Sequence, residues 1–184
     1  MLNLFKRNRK IRNLSHEVFT HIVTQARQPA FYADYKVADT LDGRFDLIIL
    51  HVALVIDRLE QFPKKREAGL LIRYIQEVLF DNMDMSLREI GVGDMSVGKK
   101  VKVMAEAFYG RKLAYKTALQ AEDKSDALKK AVLTNIYREE NPGDDVLTAV
   151  VSYILRQMAS FEQQDLTALL SGKLDFVPVK PEGA

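Results

Sequence analysis

Apolar residues recur along most of this chain with a helical period. In residues 13–26, Leu14, Val18, Ile22 and Ala26 fall four apart, and Phe19 and Val23 widen the stripe. That spacing predicts a first helix, which Pro29 follows. An aromatic-rich connector occupies residues 28–38. From about residue 42 to residue 61, Phe45, Ile48, Ile49, Val52, Val55, Ile56 and Leu59 form one apolar face, while Leu47, Leu50 and Leu54 form a second. A helix apolar on two faces belongs at the centre of a core. Pro63 and the cluster Lys64, Lys65 and Arg66 then mark a surface turn.

A third stripe of Leu71, Tyr74, Ile75, Val78, Leu79 and Met83 predicts a helix from about residue 67 to 83 or beyond. Residues 84–91 either continue it or form a separate turn, and Gly91 is a natural stop. The next helix, capped by Asp94 or Ser96, runs to about residue 119 with Val97, Val101, Met104, Ala105, Phe108, Tyr115 and Leu119 on one face. Gly110 inside it points to close helix approach or a kink. Ser125 is placed to cap a further helix reaching about residue 138. After the turn Asn141-Pro142-Gly143, a last long helix begins at Asp144 or Asp145. It breaks near Asp165, with a short restart ending at Ser171-Gly172. Pro178 and Pro181 predict an extended tail. No strand pair stands out. The fold class is all-α, a single compact bundle of six to seven helices. The divisions are a basic leader over 1–12, a helical domain over 13–172 and an extended tail over 173–184.

Composition narrows what such a bundle does. With 184 residues the chain is long enough for one domain, and 47% apolar against 28% charged residues is a globular balance. Zero cysteines excludes disulfides, cysteine-ligated clusters and a thiol nucleophile. The longest apolar stretch, residues 47–56 (LIILHVALVI), is ten residues long, whereas a spanning helix needs about 20. With no secretory signal, a cytoplasmic location is expected. The net charge of +2 conceals an asymmetry. Lys6, Arg7, Arg9, Lys10 and Arg12 stand in the first twelve residues without an acid, so a leader of +5 precedes a body of −3. With Leu2, Leu4 and Phe5 beside them, these cations suit an anionic membrane surface, which would place the protein peripherally on the cytoplasmic face of the inner membrane. RNA is the competing anion, and a frayed terminus is the plain alternative.

Little of the available chemistry is catalytic. Residues 93–100 (GDMSVGKK) match G-x-x-x-x-G-K, but Lys100 stands where a P-loop requires Ser or Thr, and a helical segment precedes the glycine in place of a strand. A helix–helix turn is the simpler reading, with anion binding by Lys99, Lys100 and Lys102 left open. His16 and His21 are five apart, the wrong spacing for two ligands on one helical face. His51, inside the apolar helix, reads as a hydrogen-bonded core or partner-facing residue, with a haem or quinone site between helices as the alternative. Asp81 and Asp84 lie near Arg88 without a third ligand. No enzyme activity, cofactor or metal site is expected.

Two segments remain, residues 39–51 and 87–111, in which acids, arginines, glycines and tyrosines crowd into turns beside apolar helices. The ordered set Phe31-Tyr32, Asp39-Thr40, Asp42-Gly43-Arg44-Phe45, His51, Asp81, Leu87-Arg88-Glu89, Gly91-Val92-Gly93-Asp94 and Phe108-Tyr109-Gly110-Arg111 resembles the ubiquinol–cytochrome c chaperone family, and Asn135 and Tyr137 extend the likeness. The resemblance runs from about residue 31 to residue 119. It implies an all-helical, non-enzymatic assembly chaperone for respiratory complex III that binds newly made cytochrome b near the membrane, without DNA. A long presequence is missing, so a bacterial member is expected, and the small partner protein and ribosome contact of mitochondrial members stay open. By this resemblance Asp42, Arg44, His51, Arg88, Asp94 and Arg111 are partner-binding candidates, each with a cap or ion pair as its alternative role. A holding chaperone of this kind needs an exposed apolar groove rimmed by Arg and Asp.

Overall fold

The helix that is apolar on two faces, α3 (Leu41–Glu60), is the axis of the molecule: every residue from Leu47 to Ile56 is buried. Around it pack α1 (Leu2–Ala26), α4 (Arg66–Glu89), α5 (Asp94–Gln120) and α7 (Asp144–Gln163). The helix α6 (Lys124–Asn135) sits between α5 and α7, and the single turns α2 (Ala30–Ala33) and α8 (Leu166–Leu169) complete the set. The computed structural model describes residues 2–180. Among them there are six long helices, two one-turn helices and no strand, so the all-α expectation holds.

The hydrophobic pattern located the helices well and several of their ends less well. The first helix begins at Leu2, well before residue 13. Residues 2–12 hold no Gly or Pro and are mostly Leu, Lys and Arg, which lose little rotamer freedom in a helix. Two of their charges are also tied to α4: Arg7 pairs with Glu67, and Arg12 with Glu77 at 3.1 Å. Met1, residues 181–184 of the expected tail and the side chains of Leu2, Leu4 and Phe5 lie outside the described residues.

Two expected caps differ. Neither Asp94 nor Ser96 caps α5; Gly93 holds the N-cap position with no side-chain bond. Asp123, rather than Ser125, caps α6 by accepting the Asp126 amide at 3.0 Å. As expected, α7 begins at Asp144, after Gly143, and the break falls at Asp165, which caps α8 through the Ala168 amide at 2.7 Å. α4 runs on to Glu89 and closes at Gly91, whose φ of +87° gives the left-handed turn that lets the Val92 amide reach back to the Leu87 carbonyl at 2.9 Å. A side chain at Gly110 would meet nothing within 4 Å, so that glycine marks no close helix approach.

Residues 173–180 are extended, and side chains hold their backbone. Gln157 bonds the Asp175 carbonyl and the Val177 amide, Gln25 the Val177 carbonyl, Tyr35 the Val179 carbonyl and Arg156 the carbonyls of Pro178 and Val179. Phe176 packs edge-on against Phe161 and the His51 ring. These bonds satisfy the peptide groups that a non-helical segment would otherwise leave unpaired against the core.

Candidate functional site

Where α3 begins, α4 ends and α5 passes, the surface opens into a groove of about 450 Å³. Its apolar walls are Leu41 and Phe45 from α3, Leu87 and Ile90 from the end of α4, and Val103, Met104 and Ala107 from α5. Leu41, Ile90 and Val103 are 46%, 59% and 64% exposed, an unusual state for three large aliphatic side chains so close together. The local sequence explains the opening. α5 carries apolar residues on two sides. Val97, Phe108, Tyr115, Ala118 and Leu119 go into the core, while Val103, Tyr109 and Leu113 face outward.

The start of α3 is fixed tightly. Thr40 caps it by accepting the Gly43 amide at 3.1 Å, and Asp39 holds Arg44 at 2.5 Å. Position 43 admits only glycine, because a Cβ there would lie 2.1 Å from the Ala38 carbonyl oxygen.

Charges line the base and rim of the groove. Asp46, 1% exposed, faces Arg111 (Nη2 to Oδ1, 3.0 Å) and Arg138 (Nη2 to Oδ2, 3.4 Å). Arg138 also binds Asp42 at 3.0 Å, so one guanidinium bridges two carboxylates a helical turn apart. Burial pushes the Asp46 carboxyl above its ordinary range, and the two arginines pull it part of the way back. The Tyr115 hydroxyl lies buried close by without a hydrogen-bond partner among the described residues, and burial and the Asp46 charge both raise its pKa. Arg138 reaches this position through a backbone of positive φ, +51° at Arg138 and +71° at Glu139. Such conformations cost non-glycine residues about 1 kcal/mol or more each. Tyr137 braces the segment by donating its hydroxyl to the Tyr35 carbonyl at 2.5 Å. Lys99 and Lys100, from the segment that mimics a P-loop, stand on the α5 wall; helix α4 precedes that segment.

Of the six partner-binding candidates, Asp42 and Arg111 line the groove. Arg88 and Asp94 pair with each other across the α4–α5 turn, where Arg88 also holds Asp84 at 2.5 Å. Arg44 faces a separate depression lined by Arg27, Tyr32 and Asp39. His51 does not reach a surface. It is fully buried, its Nδ1–H donates to the Leu47 carbonyl at 2.7 Å and its Nε2 accepts the Tyr153 hydroxyl at 2.7 Å, which in turn accepts from Gln25 at 3.0 Å. A carbonyl can only accept, so this tautomer follows. Both ring nitrogens are thus in use, and desolvation lowers the imidazole pKa to about 4. A partner-facing or haem-ligating His51 would have to surrender these bonds. Among the described residues no group of three His, Asp or Glu is arranged to hold a metal, and no helix is long and apolar enough to cross a membrane.

Sequence reasoning missed Asp46 and Arg138. Asp46 carried one signal: it stands one turn after Asp42 at the edge of the longest apolar run, where an unpaired acid would be costly. Arg138 carried none, because its role depends on the turn after α6.

The family model described as ubiquinol–cytochrome C chaperone matches residues 33–176, a span that contains the groove, both of its arginines and His51. Ubiquinol–cytochrome c reductase complex assembly factor 1 of Xenopus laevis is 22% identical over 178 residues, covering 95% of this chain and 86% of that protein. The Mus musculus protein of the same name is 23% identical over 92% of this chain, which spans 57% of the mouse protein's length. The crystal structure of the Cbp3 homologue from Brucella abortus superimposes with a TM-score of 0.84 at 34% identity, covering 97% of each chain. A family match across most of the sequence and a superposition of nearly the whole fold agree, and the chain belongs to the ubiquinol–cytochrome c chaperone family.

Proposed function

We propose that this protein is a non-enzymatic assembly factor for ubiquinol–cytochrome c reductase, respiratory complex III, and that it holds newly made cytochrome b by an apolar helical segment until the subunit meets its permanent partners. The observation that carries this reading is the groove. Leu41, Ile90 and Val103 remain open to solvent side by side in one groove, in a molecule that buries most of its aliphatic residues. A membrane-protein segment outside the bilayer needs such a surface, because its apolar side chains gain about 25 cal/mol for each Å² taken out of water. Lys99, Lys100 and the arginine–aspartate cluster give the groove a polar rim, as helix-in-groove recognition requires. The names of the relatives and the family match support assembly of complex III as the process. The basic first helix would keep the protein at the anionic cytoplasmic face of the membrane, where the client is inserted.

A photoreactive amino acid at Val103, with the same residue at exposed Glu122 as the control, tests this in cells. Cytochrome b should be recovered from the Val103 position and not from Glu122, and deletion of the gene should lower complex III. No cytochrome b at Val103 together with normal complex III in the deletion strain would overturn the proposal.

A further inference from the structure

The five cations of the leader do not act as one patch. Helix α1 sorts them. Arg7 and Arg12 turn toward α4 and pair with Glu67 and Glu77. Lys6, Arg9 and Lys10 turn the other way and line a cavity of about 880 Å³, which Lys65 joins from the turn before α4. None of these four has an ion-pair partner among the described residues. The acids in the lining are Glu17 and Glu67, and Glu67 is already engaged by Arg7. The cavity therefore carries a net positive charge that the fold itself does not satisfy.

The remaining lining is amphiphilic. Leu14, Leu166 and Leu170 supply an aliphatic wall, the last two only half buried, and Thr167, Ser171 and Asn13 add polar groups between the leucines and the cations. The single turn α8, with its Asp165 cap, presents Leu166 and Leu170 to the cavity. A nucleic acid would match the charge but gain little from the wall, because single-stranded bases bind chiefly by stacking on aromatic side chains and this lining holds none, with Arg9 its one guanidinium. A phosphate joined through glycerol to acyl chains matches the whole surface: the anion sits among the four cations, the glycerol by the hydroxyls and the first methylenes on the leucines.

We propose that this cavity binds the headgroup and upper acyl chains of an anionic glycerophospholipid, so that the protein docks on the membrane through a defined lipid site. This rests on the membrane-surface reading above and gives it a location. Lys10 and Lys65 are both exposed, and Lys65 makes no cap bond, so changing them leaves the fold intact.

The test uses the full chain, flotation with phosphatidylcholine vesicles containing about one-third phosphatidylglycerol, and monomeric dihexanoyl-phosphatidylglycerol followed by the methyl NMR signals of Leu166 and Leu170. The wild type should float, and Lys10→Gln/Lys65→Gln should need roughly thirty-fold more lipid, the effect of two basic contacts at an anionic surface. Lys64→Gln/Arg73→Gln, which removes the same charge from residues outside the cavity lining, should stay within about three-fold of the wild type on this reasoning. The short-chain lipid should shift the leucine methyls, and inorganic phosphate should not. Equal losses in both double variants would overturn the cavity while leaving membrane attachment standing. A wild type that fails to float would remove both. Binding of inorganic phosphate as tight as that of the short-chain lipid would identify a free-anion site instead. Binding of polyuridylate through Lys10 and Lys65 without flotation would identify RNA as the ligand.

Discussion

Lowering the pH from 7.5 to 5 should cost this protein about 2 kcal/mol of stability through His51 alone. The imidazole is fully buried, and its pKa is lowered from 6.5 to about 4 by desolvation, against a smaller upward effect of its bond to the Leu47 carbonyl. The unfolded chain then takes up a proton on this group near pH 6.5, while the native state refuses it until near pH 4. Stability is therefore fully present above pH 6.5, falls as the pH drops through the window from 6.5 to 4, and reaches a total loss of about 3 kcal/mol below it. Other buried groups oppose this. Burial raises the Asp46 and Asp57 carboxyls, so the native state binds their protons more readily than the unfolded chain does and acid favours folding through them.

The contribution of His51 is isolated by difference. Urea unfolding of the wild type and of His51→Gln, each at pH 7.5 and pH 5, should give a stability gap between the two proteins that narrows by about 2 kcal/mol on acidification, because the carboxylate terms cancel. The glutamine variant begins less stable, having lost the ring that packs on Phe31 and Phe176. If it fails to fold, the wild type alone suffices: the His51 ring protons should hold their chemical shifts from pH 7.5 to 5, with exposed His16 and His21 as comparison signals. Parallel curves for the two proteins, or a His51 resonance that titrates near pH 6.5, would refute the buried, neutral, hydrogen-bonded histidine.

Three further outcomes follow from the geometry. Val103→Asp places a charge on a side chain that is 64% exposed, so stability should change by less than about 0.5 kcal/mol while crosslinking of cytochrome b at a second groove position, Ile90, falls at least several-fold. Gly43→Ala drives a Cβ into the Ala38 carbonyl, and a loss of about 2–3 kcal/mol is expected, read as a fall in Tm of roughly 4–10 °C in a thermal melt. Asp46→Leu/Arg111→Met replaces a buried pair by apolar groups of similar volume and should leave urea stability unchanged or raised by about 1 kcal/mol or more, whereas Asp46→Asn alone, which leaves two arginines facing an amide, should lower it by about 1–3 kcal/mol.

The sequence made the centre of this molecule plain and its working surface only partly so, for a physical reason visible in particular residues. Residues 47–56 are apolar on both faces, and a helix with that pattern has nowhere to go but the middle, so α3 and the helices that cover it could be read from periodicity. The start of α1 could not, since Lys6 to Arg12 form a helix by propensity and by pairing with Glu67 and Glu77 on α4, neither of which leaves an apolar stripe. Caps were misplaced by one to three residues where several capping residue types stood together: Gly93, Asp94 and Ser96 before α5, Asp123 and Ser125 before α6. In the groove, Asp42 and Arg111 were legible as unusual polar residues in helix-flanking turns. The pairs Arg88–Asp94 and Arg44–Asp39 looked the same in sequence, and only their distances separate turn-closing ion pairs from groove-lining ones.

The groove poses an energetic question that the charges beneath and beside it answer. Leu41, Ile90 and Val103 would gain by closing on one another, since apolar surface leaving water is favourable whatever covers it. Closure would carry α3 and α5 together over Asp46, Arg111 and Arg138. A carboxylate already 1% exposed, with its pKa raised by burial, can lose little more hydration, but Arg138 and Asp42 are still 53% and 64% exposed as side chains and would have to be dehydrated with it. Stripping water from that pair costs several kcal/mol per ion, more than three aliphatic side chains return at about 1.5–3 kcal/mol each once the entropy of ordering them is included. On the proposed function the cluster would act as a spacer. A client helix bound as proposed would cover the leucine, isoleucine and valine without drawing α3 and α5 together, and an Asp42→Leu/Arg138→Met variant, which removes the half-exposed pair that closure would dehydrate, separates the two effects. With the spacer gone, the protein should be at least as stable as the wild type and bind its client less well.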